Sequence, residues 1–156
     1  MLQKQTVESN TLELLINIQS LPEMQDFRLV GGTALSLSFG HRISTDLDLF
    51  SYNKEIPQEI QSILLSRGFK VENISLSERI KILRINKIKV DCVNYGYHWL
   101  KGEQLEDNIK LASLEDIGAM KLSAITNRGT RKDFVDLYFL LEIFDFKQLV
   151  DFYHKK

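Results

Sequence analysis

The stretch Thr45-Asp46-Leu47-Asp48-Leu49-Phe50 alternates acidic and apolar side chains, the period of a strand with one face in a core. In that conformation Leu47 and Leu49 point one way, while Asp46 and Asp48 share the other face about 6.6 Å apart along the chain. Two carboxylates so placed repel unless water solvates them or a cation bridges them. A pair of Mg²⁺ ions suits such a face, because magnesium takes oxygen ligands and keeps positions for water and substrate phosphates. A solvated edge strand is the plainer alternative. Asp91 is the candidate third carboxylate, the only acidic residue from Arg79 through Gly102. Within Ile88-Lys89-Val90-Asp91-Cys92 it lies on the face opposite Ile88, Val90 and Cys92. A sheet that sets this strand beside Asp46 and Asp48 would aim all three at the same ions; its ordinary role would be to balance Lys89.

A second candidate lies just upstream. Leu29-Val30-Gly31-Gly32-Thr33-Ala34-Leu35 reads as a strand that enters two glycines and then a helix. Glycines leave room for a ligand, so backbone N–H groups at the helix start, with the Thr33 hydroxyl, would make an anion site suited to phosphate. A tight strand-to-helix turn is the alternative. Further on, Lys121 falls in the middle of the apolar arc of a helix over Leu114 to Thr126 and must snorkel or meet a negative group. That group is either a triphosphate in a cleft or Asp136, which lies on the inner arc of the next helix with Phe139, Leu140 and Ile143. Between the helices, Asn127-Arg128-Gly129-Thr130-Arg131-Lys132 carries three cations and no acid, placing Arg128, Arg131 or Lys132 against phosphates. Asp133 either shares that role or simply closes a capping box with Thr130. A second basic run, Arg79, Lys81, Arg84, Lys87 and Lys89, is either a solvated face or an RNA contact. His41, His98 and His154 show no metal-ligand spacing, and no serine sits in a nucleophile-elbow pattern.

The elements that must position these residues follow from periodicity and punctuation. Val7 to Ser20 predicts a helix ended by Leu21-Pro22; Phe27 to Val30 a short strand; Thr33 to Phe39 a helix stopped by Gly40; Asp46 to Phe50 a strand. Ile56 to Arg67 predicts a helix closed by Gly68, and Ile80 to Ile85 and Ile88 to Asn94 two strands joined by an Asn86-Lys87 hairpin turn. After about Leu111 the chain reads as helical, with Leu114 to Thr126, then Lys132 to Phe144, then a short tail. Interspersed early elements and late helices predict one α+β domain with a mixed sheet over residues 1–156, the sheet in about 1–100 and helices in about 111–156.

Size and composition agree. A length of 156 residues suits one core, and 44% hydrophobic with 26% charged residues is ordinary for a soluble folded chain. With a net charge of −1, a polyanionic partner would have to be held by a local patch rather than the molecule's overall field. The single cysteine, Cys92, excludes an internal disulfide and a cysteine-based zinc site and fits a reducing cytoplasm. No signal peptide or membrane span is expected, so the predicted location is cytoplasmic.

Gly31-Gly32-Thr33-Ala34-Leu35 through Gly40-His41-Arg42-Ile43-Ser44-Thr45-Asp46-Leu47-Asp48-Leu49-Phe50 resembles, nearly residue for residue, the opening motif of the AbiEii/AbiGii toxin family of nucleotidyltransferases, within the polymerase-beta-like superfamily. Lys121, with Arg131-Lys132-Asp133-Phe134-Val135-Asp136-Leu137-Tyr138, resembles its later lysine-to-aspartate motif. The resemblance implies a nucleotidyltransferase fold, a mixed sheet flanked by helices. It also implies Asp46 and Asp48 as magnesium ligands, Gly31-Gly32-Thr33 as phosphate cradle, and Lys121 with the Asp133/Asp136 helix near the nucleotide. Joined to the reading of the residues, it gives a catalytic set of Asp46, Asp48, Asp91, Lys121 and Asp136. The first three would hold two Mg²⁺, and Gly31, Gly32, Thr33, Lys121, Arg128, Lys132 and Asp133 would meet the NTP. By analogy the acceptor is a tRNA end or a protein, and the setting a toxin–antitoxin or phage-defence system with a cognate antitoxin. A small antibiotic or antitoxin-type nucleotidyltransferase, or a catalytically silent binding module of the same fold, are the competing expectations.

Overall fold

The two glycines do more than break a strand: β1 (Arg28–Val30) passes without a loop into α2 (Gly31–Phe39), which Gly40 closes in the left-handed conformation at φ +71°. The computed structural model describes residues 1–156, and α1 (Ser9–Gln19) precedes this pair with Leu14, Leu15 and Ile18 turned into the core. β2 (Leu47–Tyr52) follows, its alternation realised as Leu47 and Leu49 fully buried and Asp48 and Phe50 half-buried on the other face. After α3 (Ile60–Ser66) come β3 (Val71–Leu76), β4 (Ile80–Ile85), β5 (Ile88–Tyr95), β6 (Gln104–Glu106) and β7 (Ile109–Leu111). Three helices end the chain: α4 (Leu114–Asn127), α5 (Arg131–Leu141) and α6 (Phe146–Lys155).

The seven strands form one mixed sheet in the order β3-β4-β5-β2-β1-β7-β6. β1 runs antiparallel to β2 and parallel to β7, and β2 runs parallel to β5. Asn86 and Lys87 do form the two-residue hairpin turn, at φ 49° and 72°, with Ile85 opposite Ile88. A second turn of the same kind, Asp107-Asn108 at φ 52° and 62°, joins β6 to β7 and carries the sheet on to Leu111, beyond the boundary near residue 100 that composition suggests. β3 is also outside the sequence expectation; as the edge strand it buries none of its residues, so it has no inward face for periodicity to reveal. The expected tail is instead α6, started by Asp145, which accepts from Gln148 N–H at 2.7 Å while Gln148 accepts from Asp145 N–H at 2.9 Å. Its Leu149 is fully buried against Gly118 of α4, where a Cβ would lie 2.8 Å from Leu149 Cδ2. No helix is long and apolar enough to cross a membrane.

The seam between sheet and late helices is fixed by Asp116, a fully buried carboxylate. It accepts from Leu100 N–H at 2.9 Å, Lys101 N–H at 3.2 Å and the Ser113 hydroxyl at 2.8 Å, and pairs with the Lys156 ammonium. Lys156 in turn lies over the rings of Tyr95 and Trp99 at 5.1 and 4.7 Å. Removing such a carboxylate leaves buried donors unpaired, so Asp116→Ala is expected to lower stability by about 3–5 kcal/mol in urea unfolding. A loss under about 1 kcal/mol would show that water replaces its partners.

Candidate active site

Parallel pairing of β2 with β5 places Asp48 opposite Asp91 in register, so the two carboxylates stand side by side on one face. The expected neighbourhood of the two acidic strands is therefore present. Burial, then the charge of Asp91 and more weakly that of Asp46, pushes the Asp48 carboxyl up to about 6, against the opposing pull of Lys89 and Lys121. Asp91 accepts from Lys89 Nζ at 2.7 Å through Oδ2, the balancing role that the sequence also allowed, while its Oδ1 is buried with no partner. Asp46 lies just before β2 and is exposed, on the other side of Asp48. No three His, Cys, Asp or Glu side chains are drawn tightly enough together to hold a metal unaided.

The glycine turn is shaped around this acid. Gly31 adopts φ +70°, and a Cβ there would sit 2.3 Å from Asp48 Oδ2; one on Gly32 would sit 2.1 Å from Arg42 Nη2. Close approach of the Asp48 carboxylate and the Arg42 guanidinium to this turn thus requires both glycines. Gly31→Ala is expected to cost at least about 1–2 kcal/mol in thermal unfolding and to displace Asp48, with activity falling further than stability explains. The Thr33 hydroxyl, which the sequence placed in an anion site, is engaged within the protein. It is buried, bonded to Ser44 Oγ at 2.8 Å and to the Asp46 carbonyl, and so ties α2 to the segment leading into β2.

Opposite stand α4 and α5. Lys121, 6% exposed, meets Asp136 Oδ2 at 2.9 Å, one of the two partners the sequence allowed, and also Asp133 Oδ1 at 3.1 Å, which the sequence did not offer as its partner. Asp133 also accepts from Thr130 N–H at 3.1 Å and from the Thr130 hydroxyl at 2.7 Å, with Arg128 Nε at 3.4 Å. Burial alone would raise its pKa, but these hydrogen bonds and the Lys121 charge hold it well below the usual carboxylate range. Asp136 is fully buried and accepts from Arg42 Nε at 2.7 Å and Nη2 at 2.9 Å, with His41 Nε2 at 2.7 Å. Burial again works upward and is overcome by the Arg42 and His41 bonds and by Lys121, so its carboxyl too is held low. Asp136 is thus engaged by Arg42, His41 and Lys121 together. The engagement of His41 and Arg42 with this cluster could not be read from the sequence, because their partner lies 95 and 94 positions away.

Two cavities meet at these groups. One of about 380 Å³ has walls that include Val30, Phe50, Tyr95, Ile117 and Met120; the other, about 120 Å³, is wholly polar and includes Gly32, Arg42, Thr45, Asp46 and Lys132. They share Asp48, Lys121 and Arg128. Gly31 and Asp91 border the apolar side, Asp133 and Asp136 the polar side. Of the three cations from Arg128 to Lys132, Arg128 and Lys132 reach these cavities. The other basic run does not make one face: Lys81 donates to the Pro57 carbonyl at 2.7 Å, Arg84 pairs with Glu72 at 3.4 Å, and Lys89 pairs with Asp91.

A glycine turn opening a helix beside an Asp-x-Asp strand, flanked by a parallel acidic strand in a mixed sheet, defines the polymerase-beta-like nucleotidyltransferase fold. Helicobacter pylori JHP933 superposes with a TM-score of 0.65 at 18% identity, over 96% of this chain and 73% of its own. The antibiotic-resistance factor ANT(2'')-Ia gives a TM-score of 0.65 at 14% identity, over 94% of this chain and 91% of its own. The chain belongs to the nucleotidyl transferase AbiEii toxin family (type IV TA system), whose family model matches residues 13–153, and it is a nucleotidyltransferase in that sense. Uncharacterized protein aq_aa25 of Aquifex aeolicus (strain VF5) is 34% identical over 152 residues, 92% of this chain and 72% of its own length.

Proposed function

We propose that the chain transfers a nucleoside monophosphate from an NTP to a hydroxyl of an acceptor, an RNA such as a tRNA end or a protein side chain, and releases pyrophosphate. The observation that carries this reading is the in-register pair Asp48 and Asp91, with one buried Asp91 oxygen left unpartnered, at the junction of the two cavities. The apolar cavity suits a flat base; the polar one, bordered by Arg42, Lys121, Arg128 and Lys132, suits phosphates. The reacting phosphorus would then lie where the cavities join. The acceptor oxygen bonds to it from the Asp91 side, the bond to the pyrophosphate oxygen breaks, and Asp91 receives the hydroxyl proton. Lys121 and Arg128 offset the growing negative charge, an electrostatic contribution that commonly dominates phosphoryl transfer.

The donors present fit Mg²⁺. All are carboxylate oxygens, one is buried without a partner, and the Asp48 carboxyl is pushed up first by burial and then by the charges of Asp91 and Asp46, which a cation would offset. Asp46, Asp48 and Asp91 would hold it, and when bound it supplies Lewis-acid stabilisation of the phosphate charges. The setting that fits the family is a toxin acting in the cytoplasm alongside a cognate antitoxin or in phage defence.

Incubation with NTPs labelled at the α-phosphate, Mg²⁺, total cell RNA and total protein tests the reading. Label is expected in one acceptor fraction, and none from γ-labelled NTP. Label in neither fraction, together with no metal-dependent NTP binding by calorimetry, would overturn it in favour of a silent regulatory module.

A further inference from the structure

Arg42 presents a guanidinium whose hydrogen bonds can be counted. Of its five N–H groups, Nε and one on Nη2 go to Asp136 at 2.7 and 2.9 Å, and one on Nη1 goes to the Ile43 carbonyl at 3.2 Å. Two N–H groups remain, one of them on the nitrogen that lies where a Gly32 Cβ would be. The side chain is 17% exposed and borders only the polar cavity, on the side away from Phe50 and Tyr95. Its orientation is set from behind. The buried Asp136 grips it at two points, and the His41 ring, fully buried between Phe39 and Phe139 at 5.9 and 4.8 Å, holds Asp136 from a third. Lys132, the other cation found only on the polar side, is exposed and has no such backing.

We infer that Arg42 is a specificity-determining residue that reads the terminal phosphates of the nucleotide, with Asp136 and His41 as its positioning residues. The inference rests on the transfer reading above, which places the reacting phosphorus at the shared mouth and therefore the leaving pyrophosphate in the polar cavity. A guanidinium already oriented loses little freedom when a phosphate arrives, and its free edge forms charge-assisted bonds that a nucleoside monophosphate cannot reach.

Equilibrium binding of an α,β-methylene NTP and of the matching NMP, both with Mg²⁺, separates the possibilities. For Arg42→Gln the triphosphate analogue is expected to bind about 10–100-fold more weakly, with NMP affinity within about twofold. Arg42→Lys keeps a cation against Asp136 and the melting temperature close to wild type, yet is expected to lose about tenfold in triphosphate affinity. Asp136→Asn, which touches no ligand, is expected to lower the same triphosphate-to-monophosphate ratio and to be non-additive with Arg42→Gln. Equal weakening of both nucleotides, or unchanged triphosphate affinity in folded Arg42 variants, would overturn the assignment. An unchanged ratio in Asp136→Asn would overturn the positioning role. A wild-type protein that binds neither nucleotide would overturn the transfer reading and this inference with it; nucleotide binding with unchanged Arg42 selectivity overturns the inference alone.

Discussion

Asp48→Asn is expected to reduce nucleotidyl transfer by at least about a hundredfold and, in the same protein, to raise stability at neutral and alkaline pH. Both effects come from one carboxylate placed beside another. Burial and the Asp91 charge lift the folded carboxyl from 3.8 to about 6, so it binds its proton more tightly folded than unfolded. Stability contributed by that proton is present at low pH and is lost as pH rises from about 4 to about 6, a cost approaching 3 kcal/mol above that window. Asparagine has no proton to lose. Melts in chelator should therefore nearly coincide at pH 4 and diverge at pH 8, where the variant is expected to melt about 5–10 °C higher. A variant less stable at pH 8 would mean that the Asp48 charge serves the fold.

Lys121→Met is expected to act in the opposite sense, costing about 3 kcal/mol at pH 7. It removes the one ammonium that Asp133 and Asp136 share, leaving Asp133 to Thr130 and Arg128, and Asp136 to His41 and Arg42. Both carboxyls are held low in the folded protein, so their contribution is present above the ordinary carboxylate range and disappears as pH falls through it. Without Lys121 both rise, and the acid limb of an unfolding curve followed by circular dichroism should move to higher pH. Stability within about 1 kcal/mol of wild type would show that the two arginines and His41 suffice.

What could be read from the sequence was local. Leu47 and Leu49 alternating with Asp46 and Asp48 specify a one-sided strand, Gly31-Gly32 a turn into a helix, and Asn86-Lys87 a hairpin, because each signal lies within a few residues. The Asp133/Asp136 helix and inward-facing Lys121 were legible for the same reason, although the lysine's partner stayed open between a phosphate and Asp136, and Asp133 was not foreseen as one. Strand β3 was not, since an edge strand exposed beyond its partly buried first residue, Val71, has no buried face to set a period. The three-residue strands β6 and β7 are too short for one. The link of Arg42 and His41 to Asp136, and the inward turn of the Thr33 hydroxyl, depend on contacts that only the assembled domain creates. The Asp145–Gln148 box was present in the sequence, and it marks α6 where only a tail was expected.

The ladder joining β2 to β5 pairs Leu47 with Val90, so the two acidic strands are neighbours only after a long loop has closed. Loop-closure entropy must be met before that ladder returns any energy, whereas the β4–β5 hairpin can form on its own. Competence to react is thus a property of the finished topology: a partly folded chain can hold its helices and hairpins and still lack a reaction centre.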